Sequence, residues 1–221
     1  MKKAVVLLSG GLDSAVTLYW AINKGYSCLA LNFDYGQRHR KEIKSAKKIA
    51  QRADCSFYTV KFHLPWQGSA LLNKKIILPT RKSVRGIGKD IPSTYVPARN
   101  TLFLSFAISL AEVVSATTIF IGANALDYSG YPDCRPDFIQ AMQRTAELGT
   151  KVGREGKKIN IFAPLIKMTK SQIIKTALAL EVPLKLSWSC YQGGKHPCGH
   201  CDSCLLRAKG FAGLGLKDPA T

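Results

Sequence analysis

The sequence contains no apolar run of the ~18–20 residues that a helix needs to cross a lipid bilayer. At the N-terminus two lysines precede a short apolar stretch, Ala4 to Leu8, which is shorter than the ~7–15 residues of a secretory signal core. We therefore expect a cytoplasmic protein that does not insert into a membrane. With 221 residues, of which 46% are hydrophobic, the chain can form the core of one α/β domain with an appendage.

Acidic residues are also scarce, because 14 Asp and Glu stand against 32 Lys and Arg and leave a formal net charge of +18. Such an excess attracts anions, whether ATP, a carboxylate substrate or RNA. The basic residues are spread along the chain and form no long tail and no stripe with interleaved aromatic residues. We therefore expect small anionic ligands and do not expect direct binding of nucleic acid.

Two common phosphate-binding patterns are missing, the Walker loop with its Lys and the dinucleotide pattern Gly-x-Gly-x-x-Gly. Instead, Ser9–Ser14 (Ser-Gly-Gly-Leu-Asp-Ser) connects an apolar strand to the start of an amphipathic helix. Glycines and the unpaired N–H groups of a helix start favour a phosphate. Asp13 would repel that phosphate unless a cation lies between them, which points to Mg²⁺. Taken alone, the loop is equally compatible with a simple capped turn.

Hydrophobic periodicity predicts an alternation of strands and helices. We expect strands at 4–8, 27–33, 56–60, 117–122 and 159–162, and helices at 12–24, 39–53, 101–115, 137–149 and 170–180, the last capped by Thr169. The helix at 101–115 is apolar nearly all round and should be buried, and Leu148 should face inward. This order is typical of an α/β fold with a doubly wound, mostly parallel five-stranded sheet.

We divide the chain into an ATP-binding α/β domain at 1–185 and a C-terminal segment at 186–221. Within the first domain, Pro and Gly residues interrupt the pattern from about 64 to 98. A structureless stretch of this length is often functional. It is either a mobile flap over the site, with a short helix near 68–73, or a passive surface insertion.

Three polar loops should meet at one edge of the sheet, because each follows the carboxyl end of a strand. These are Ser9–Ser14, Asp34–His39 and Ala123–Arg135. In the third, Tyr128 and Tyr131 could stack on a flat ring, while Asp127 or Asp133 could accept hydrogen bonds from a guanidine-like N–H edge and Arg135 could pair with a carboxylate. A Gly- and Pro-rich surface loop is the alternative.

Arg99 follows the interrupted segment and precedes a helix, where it can pair with a phosphate or a carboxylate. Capping of a neighbouring carbonyl is the alternative role for its side chain. Cys134 has no histidine near it in the sequence that would activate a thiol nucleophile.

Four clustered cysteines are the most specific signal in the sequence: Cys190, Cys198, Cys201 and Cys204. Four thiolates complete a tetrahedral Zn²⁺ site with no open position, so that such a site is structural. An iron–sulfur cluster is the alternative. We do not expect His196 and His200 to be ligands, because four sulfur atoms already fill the site.

With these motifs assembled, the chain resembles the 7-cyano-7-deazaguanine synthase family of the pyrophosphate-loop superfamily, the N-type ATP pyrophosphatases. The resemblance extends nearly from end to end and is carried by Ser9–Ser14, Tyr35-Gly36-Gln37-Arg38-His39, Val96-Pro97-Ala98-Arg99-Asn100, Gly122-Ala123-Asn124, Asp127–Arg135, Ser189-Cys190-Tyr191 and Cys198-Gly199-His200-Cys201. The one departure is Leu12, where the family often has Gln.

The resemblance implies an ATP-dependent ligase that converts 7-carboxy-7-deazaguanine and ammonia to the nitrile, a precursor of queuosine. It implies catalytic roles for Asp13, Arg38 and Arg99 and a structural Zn²⁺ on the four cysteines, with Mg²⁺ accompanying ATP. ATP would contact Leu8, Ser9, Gly10, Gly11, Leu12, Asp13, Ser14 and Lys170, with Lys167 a weaker candidate, and the deazaguanine would contact Asp127, Tyr131, Asp133 and Arg135.

Two further questions stay open at this point. A tRNA-modifying pyrophosphate-loop enzyme of the thiolase or lysidine type is the alternative function, although the sequence contains no separate RNA-binding domain. The sequence also leaves a homodimer open.

Overall fold

The structure of the chain, a computed structural model, describes residues 1–88, 90–125 and 130–220. The strands are β1 (Lys2–Leu7), β2 (Tyr26–Asp34), β3 (Ser56–Lys61), β4 (Thr118–Phe120) and β5 (Asn160–Phe162). The helices are α1 (Leu12–Asn23), α2 (Lys41–Arg52), α3 (Arg99–Val113), α4 (Pro136–Gly149), α5 (Lys151–Arg154), α6 (Lys170–Ala179) and α7 (Asp202–Ala212), with short 3-10 helices at Pro132–Cys134 and Leu184–Leu186.

The five strands form one sheet in the order β3-β2-β1-β4-β5, and every neighbouring pair is parallel. The order reverses between β1 and β4, because β2 lies on one side of β1 and β4 on the other. In such sheets, ligands bind outside the carboxyl ends of the strands at this reversal. The loop after β1 lies at this point, and the predicted α/β fold is confirmed.

Helices cover both faces of the sheet. On one face, α1, α2, α6 and α7 contribute buried side chains to a cluster that includes Val16, Ile49, Ile173 and Phe211. On the other face, Leu104 of α3 and Met142 of α4 join residues of the 64–98 segment. The central strands are therefore covered by helices on both faces of the sheet, which explains the continuous apolar run of β1.

Some local predictions were wrong. No helix forms at 68–73, where the backbone instead makes turns held by Ser69. In α3, Phe106 is 40% and Val113 78% exposed, so that this helix is not buried all round. Leu148 is 51% exposed because it lies on the outer side of α4. The helices α5 and α7 were not predicted, since α5 has only four residues and α7 begins inside the cysteine segment.

The segment at 64–98 and the C-terminal segment both pack onto the α/β core. Leu64, Ala70, Leu71, Leu78 and Val96 are buried in the cluster beneath α3. At the C-terminus, the hydroxyl of Ser171 donates to the carbonyl of Gly210, which connects α6 to α7. Within the described residues, no helix combines the length and the hydropathy that a membrane crossing requires.

Candidate active site

The loop Ser9–Ser14 is organised by its own serines. The hydroxyls of Ser9 and Ser14 lie 3.0 Å apart. The amide of Gly10 donates to Ser14 Oγ over 3.2 Å and the amide of Gly11 to Ser9 Oγ over 3.2 Å. The next amides, from Leu12 onward, belong to the first turn of α1, where a helix has no internal acceptors for its N–H groups. The loop therefore presents N–H and hydroxyl donors at a helix N-terminus, which suits an anion.

Gly10 allows the loop to pack directly against α2. Its φ is +93°, and a Cβ added there would lie 2.1 Å from the carbonyl oxygen of Glu42. The loop is anchored on its other side as well, because the amide of Trp188 donates to the carbonyl of Gly10 over 2.9 Å. Upstream, the side-chain amide of Asn32 donates to the carbonyl of Leu8 over 2.7 Å. Contacts from three separate parts of the chain thus fix the position of the loop.

Asp13 is paired with Lys170. The ammonium nitrogen of Lys170 lies 2.9 Å from each oxygen of the Asp13 carboxylate. Lys170 is 8% exposed, and its stem packs against Gly210, where a Cβ would come within 2.6 Å of Lys170 Cγ. Lys170 therefore places a positive charge beside Asp13. Lys167, in contrast, is exposed and does not line the pocket described next.

A pocket of about 250 Å³ opens beside this loop. It lies at the reversal of strand order and is lined by residues of all three predicted loops. Together with residues of the neighbouring helices, the pocket lining includes Ser9, Asp13, Ser14, Tyr35, Arg38, Glu42, Arg99, Asn124, Tyr131 and Lys170. The predicted convergence of these loops at one edge of the sheet is confirmed for the residues that the structure describes.

Arg38 lines the pocket, and its guanidinium holds the 64–98 segment in place. Its Nη1 donates to the carbonyls of Ala70 and Ile76 over 3.1 and 3.2 Å. The backbone amide of Arg38 donates to the carbonyl of Leu71 over 2.7 Å. The remaining nitrogens of the guanidinium are the ones that a phosphate or carboxylate would meet.

Arg99 is the first residue of α3 and also faces the pocket. Its Nη1 donates to the hydroxyl of Tyr35 over 3.1 Å. Burial by itself would lower the pKa of Arg99, but the neighbouring groups of Tyr35, Tyr131 and Asp133 outweigh it and raise the pKa. Arg99 is therefore a permanent positive charge at this end of the pocket.

The predicted substrate loop is only partly in the pocket. Tyr131 lines it, with its hydroxyl 2.9 Å from the hydroxyl of Thr94. Asp133 does not line it, because its carboxylate accepts from the amide of Asn100 and its carbonyl from the Asn100 side chain, over 3.0 and 2.8 Å. Arg135 is exposed at the start of α4. Asp127 lies outside the described residues.

Cys134 lines the pocket next to these residues. Burial raises the pKa of its thiol to about 12. A thiol with such a pKa is protonated at neutral pH, and the thiolate is the nucleophilic form. The environment of Cys134 therefore does not suit a nucleophile.

Glu42 is a pocket residue that the sequence reasoning missed. It lies in the first turn of α2, a helix whose other charged residues are basic. Burial raises the pKa of Glu42 from its ordinary 4.5 to about 7, although the nearby Arg99 opposes this rise. Helical spacing gave no signal that connects Glu42 with Arg38 and His39, because α2 begins only at Lys41.

The four cysteines come together as predicted. The sulfur atoms of Cys190, Cys198, Cys201 and Cys204 all lie within 4.8 Å of one another. The Sγ atoms of Cys198 and Cys204 are 3.9 Å apart, close to the ~3.8 Å edge that Zn–S bonds of ~2.3 Å produce in a tetrahedron. The amides of Cys198 and Cys201 point at the sulfurs of Cys190 and Cys198 over 3.3 Å. This cluster could hold one metal ion, and both nearby histidines are exposed.

The cysteine segment docks onto the phosphate loop and α2. Lys41 donates to the carbonyls of Gly194 and Lys195, and its ammonium lies 4.1 Å from the ring centroid of Trp188. Gly193, with φ +69°, leaves no room for a Cβ against the His39 ring. From the 64–98 segment, Arg81 forms an ion pair of 2.9 Å with Asp202. A metal in this segment would therefore stabilise one wall of the pocket.

The chain is similar to known proteins over nearly its whole length. A family model described as "Queuosine biosynthesis protein QueC" matches residues 3–215. The 7-cyano-7-deazaguanine synthase of Trichormus variabilis is 57% identical over 98% of this chain and 96% of its own length. That of Picrophilus torridus is 52% identical over 97% of this chain and 89% of its own.

Among solved structures, an NMN synthetase from Francisella tularensis superimposes with a TM-score of 0.50 at 17% identity. It covers 98% of this chain and 73% of that one. At this identity the likeness shows a shared fold and nothing about the substrate.

Proposed function

The chain belongs to the queuosine biosynthesis protein QueC family, and from that premise we propose that it converts 7-carboxy-7-deazaguanine and ammonia to 7-cyano-7-deazaguanine with ATP. The observation that carries the proposal is the convergence of the phosphate loop, Arg99 and Tyr131 on one pocket. The curated relatives that match almost the whole chain have the synthase name, which disfavours the alternative of an enzyme that modifies tRNA directly.

The reaction requires that a substrate oxygen be converted into a good leaving group twice, first on the acid and then on the amide. In the first half, the substrate carboxylate attacks the α-phosphorus of ATP, which forms the acyl adenylate and releases pyrophosphate. Ammonia then attacks the acyl carbon, AMP leaves, and the amide forms with loss of one proton. In the second half, the amide oxygen is adenylated in the same way, and loss of AMP with the remaining amide protons gives the nitrile.

The residues of the site support this sequence of steps. The donors of Ser9–Ser14 and the first turn of α1 would hold the departing pyrophosphate. Arg99 and the free side of Arg38 would neutralise the negative charge that develops in the transition state. Mg²⁺ would accompany ATP in this site near Asp13, beside which Lys170 already supplies one positive charge. When bound, Mg²⁺ would neutralise charge on the phosphates.

For the four cysteines we propose Zn²⁺. An iron–sulfur cluster places iron and sulfide between the thiolates and holds them further apart, whereas the observed sulfur spacing matches a single tetrahedral ion. The ion would stabilise the fold and take no part in the reaction, because four thiolates leave no open position. A cytoplasmic location and a homodimer remain predictions from the sequence.

The test is incubation of the purified protein with 7-carboxy-7-deazaguanine, ATP and ammonium, followed by mass spectrometry. We expect the mass change that replaces a carboxyl group by a nitrile, together with AMP and pyrophosphate. Omission of ammonium should stop the reaction before the amide. Formation of ADP and phosphate, or no product from the acid, would contradict the proposal.

A further inference from the structure

Glu42 is an acidic pocket residue whose carboxylate has no partner within the described part of the chain. The described acidic residues that line the pocket are Asp13 and Glu42. Both oxygens of Asp13 are held by Lys170. Glu42 makes no side-chain hydrogen bond and no ion pair within 4.0 Å to any described residue. The side chain is partly exposed and lines the pocket, so that a ligand with N–H groups can donate to its carboxylate there.

Arg99 would be the obvious partner for Glu42, yet the two do not pair. Their charges are close enough to influence each other, but the guanidinium of Arg99 donates to Tyr35 and not to the carboxylate. Two opposite charges that face one cavity without contact are arranged for a ligand that has complementary groups at both ends. Such a ligand has an anionic group for Arg99 and N–H donors for Glu42.

The acid that we propose as substrate has this distribution of groups. Its carboxylate lies on the five-membered ring, and its guanine-like edge presents two neighbouring donors, the ring N1–H and the 2-amino group. One carboxylate can accept from both donors at once, as acidic side chains accept from the amino groups of bases. The base edge of ATP matches Glu42 less well, because adenine pairs its amino donor with an acceptor nitrogen.

We infer that Glu42 binds the N1–H and 2-amino edge of the deazaguanine and thereby selects a guanine-type ring. The inference rests on the proposed function. It replaces Asp133 in the role that the sequence suggested, since Asp133 is occupied by Asn100 and does not line the pocket. Glu42, Arg99 and Tyr131 all line the same pocket.

The experiment compares 7-carboxy-7-deazaguanine with the analogue that lacks the 2-amino group. A bidentate contact to a base edge is worth ~1–3 kcal/mol of discrimination, so the wild-type kcat/KM should favour the amino compound by roughly 5- to 150-fold. In Glu42→Gln the preference should fall to about threefold or less, because the amide offers one acceptor and one donor. The KM for ATP should not change.

Two further variants make the result interpretable. Glu42→Asp keeps the carboxylate and should retain a measurable preference. Glu147→Gln is the matched control, since Glu147 lies on α4 in an ion pair with Arg144 and outside the pocket, and it should behave as the wild type. Thermal melting of each variant verifies that it folds.

An unchanged preference in Glu42→Gln would overturn the inference. So would a rise in KM confined to ATP, which would place Glu42 against the ribose hydroxyls. If the wild type makes no nitrile, the proposed function fails. Calorimetric titration of both compounds into wild type and Glu42→Gln then still tests the contact itself, because it measures binding without turnover.

Discussion

Lys170 Nζ lies 2.9 Å from both carboxylate oxygens of Asp13, although the two residues are 157 positions apart in the chain. This contact connects the first turn of α1 to the first residue of α6. It holds the carboxylate in one orientation at the mouth of the pocket and offsets its repulsion of a phosphate. The phosphate loop is therefore completed by a residue of α6, a helix that packs on the same face of the sheet as α1.

Replacement of Asp13 should abolish turnover. In Asp13→Ala we expect at least a 100-fold loss of kcat, because the site loses a group beside the departing pyrophosphate and the orientation of Lys170. The nearly buried ammonium of Lys170 loses its carboxylate partner, which should lower the free energy of unfolding by ~1–3 kcal/mol. The measurements are steady-state release of pyrophosphate and urea unfolding.

The double variant Asp13→Ala with Lys170→Met serves as the control for that loss of stability. It should recover part of the unfolding free energy and none of the activity, since the ammonium that lost its carboxylate partner is removed as well. Normal turnover in Asp13→Ala would refute the assignment of the loop.

Gly10→Ala should disrupt the loop. A Cβ would lie 2.1 Å from the Glu42 carbonyl, and the backbone has φ +93°, so that both a clash and strain oppose the side chain. We expect a loss of ~2–4 kcal/mol of stability and weak binding of ATP. Gly25→Ala is the matched control, because Gly25 also has a positive φ of +80° but nothing within 4 Å of the added Cβ. Equal effects at the two positions would contradict the proposed close packing.

Cys201→Ser should lose the metal. A zinc content near zero by elemental analysis and a lower melting temperature are expected, because the ion contributes to folding. Cys55→Ser is the control, since Cys55 lies outside the cluster, and it should keep one metal ion per chain. If Cys201→Ser retained the zinc, the four-cysteine site would be wrong. Iron in place of zinc would favour the iron–sulfur alternative.

The stability of the protein without ATP or substrate should depend on pH through Glu42. Its pKa is about 7 in the folded chain against the ordinary 4.5. The folded state therefore binds the proton more tightly, and this contribution is fully present below pH 4.5 and lost as the pH rises through 7. Glu42→Gln, which cannot ionise, should gain stability relative to the wild type between pH 5 and pH 8.

The expected gain is on the order of 1–3 kcal/mol, since each pKa unit corresponds to ~1.4 kcal/mol and hydration of the pocket reduces the full value. Chemical unfolding of both zinc-loaded proteins at the two pH values measures it. If the free energies of unfolding of the two proteins differed by the same amount at pH 5 and pH 8, Glu42 would have its ordinary pKa in the folded chain.

Asp133→Ala tests the structural role that the fold assigns to this residue. Its carboxylate accepts from the amide of Asn100 at the start of α3, and the loss of a helix-start acceptor costs ~0.5–2 kcal/mol. We expect a lower melting temperature with an unchanged KM for the deazaguanine acid. A large rise in that KM at unchanged stability would return Asp133 to the substrate site.

Much of this protein follows from local features of its sequence. Apolar periodicity was enough for the strands and for most helices, and the parallel order follows from their alternation. The loop Ser9–Ser14 and the spacing of the four cysteines are local patterns as well. The helix α7 was missed because its apolar face is short and begins inside the cysteine segment, where metal spacing dominates the pattern.

Tertiary structure alone determined the partners within the site. No local pattern predicts that Lys170 holds Asp13, that Trp188 donates to Gly10, or that Asp133 is occupied by Asn100. No sequence pattern assigned Glu42 a role, and it lines the pocket because α2 packs against the phosphate loop. The physical reason is that pairing and burial depend on the distance in space between residues far apart in the chain, whereas periodicity and spacing report only on neighbours along it.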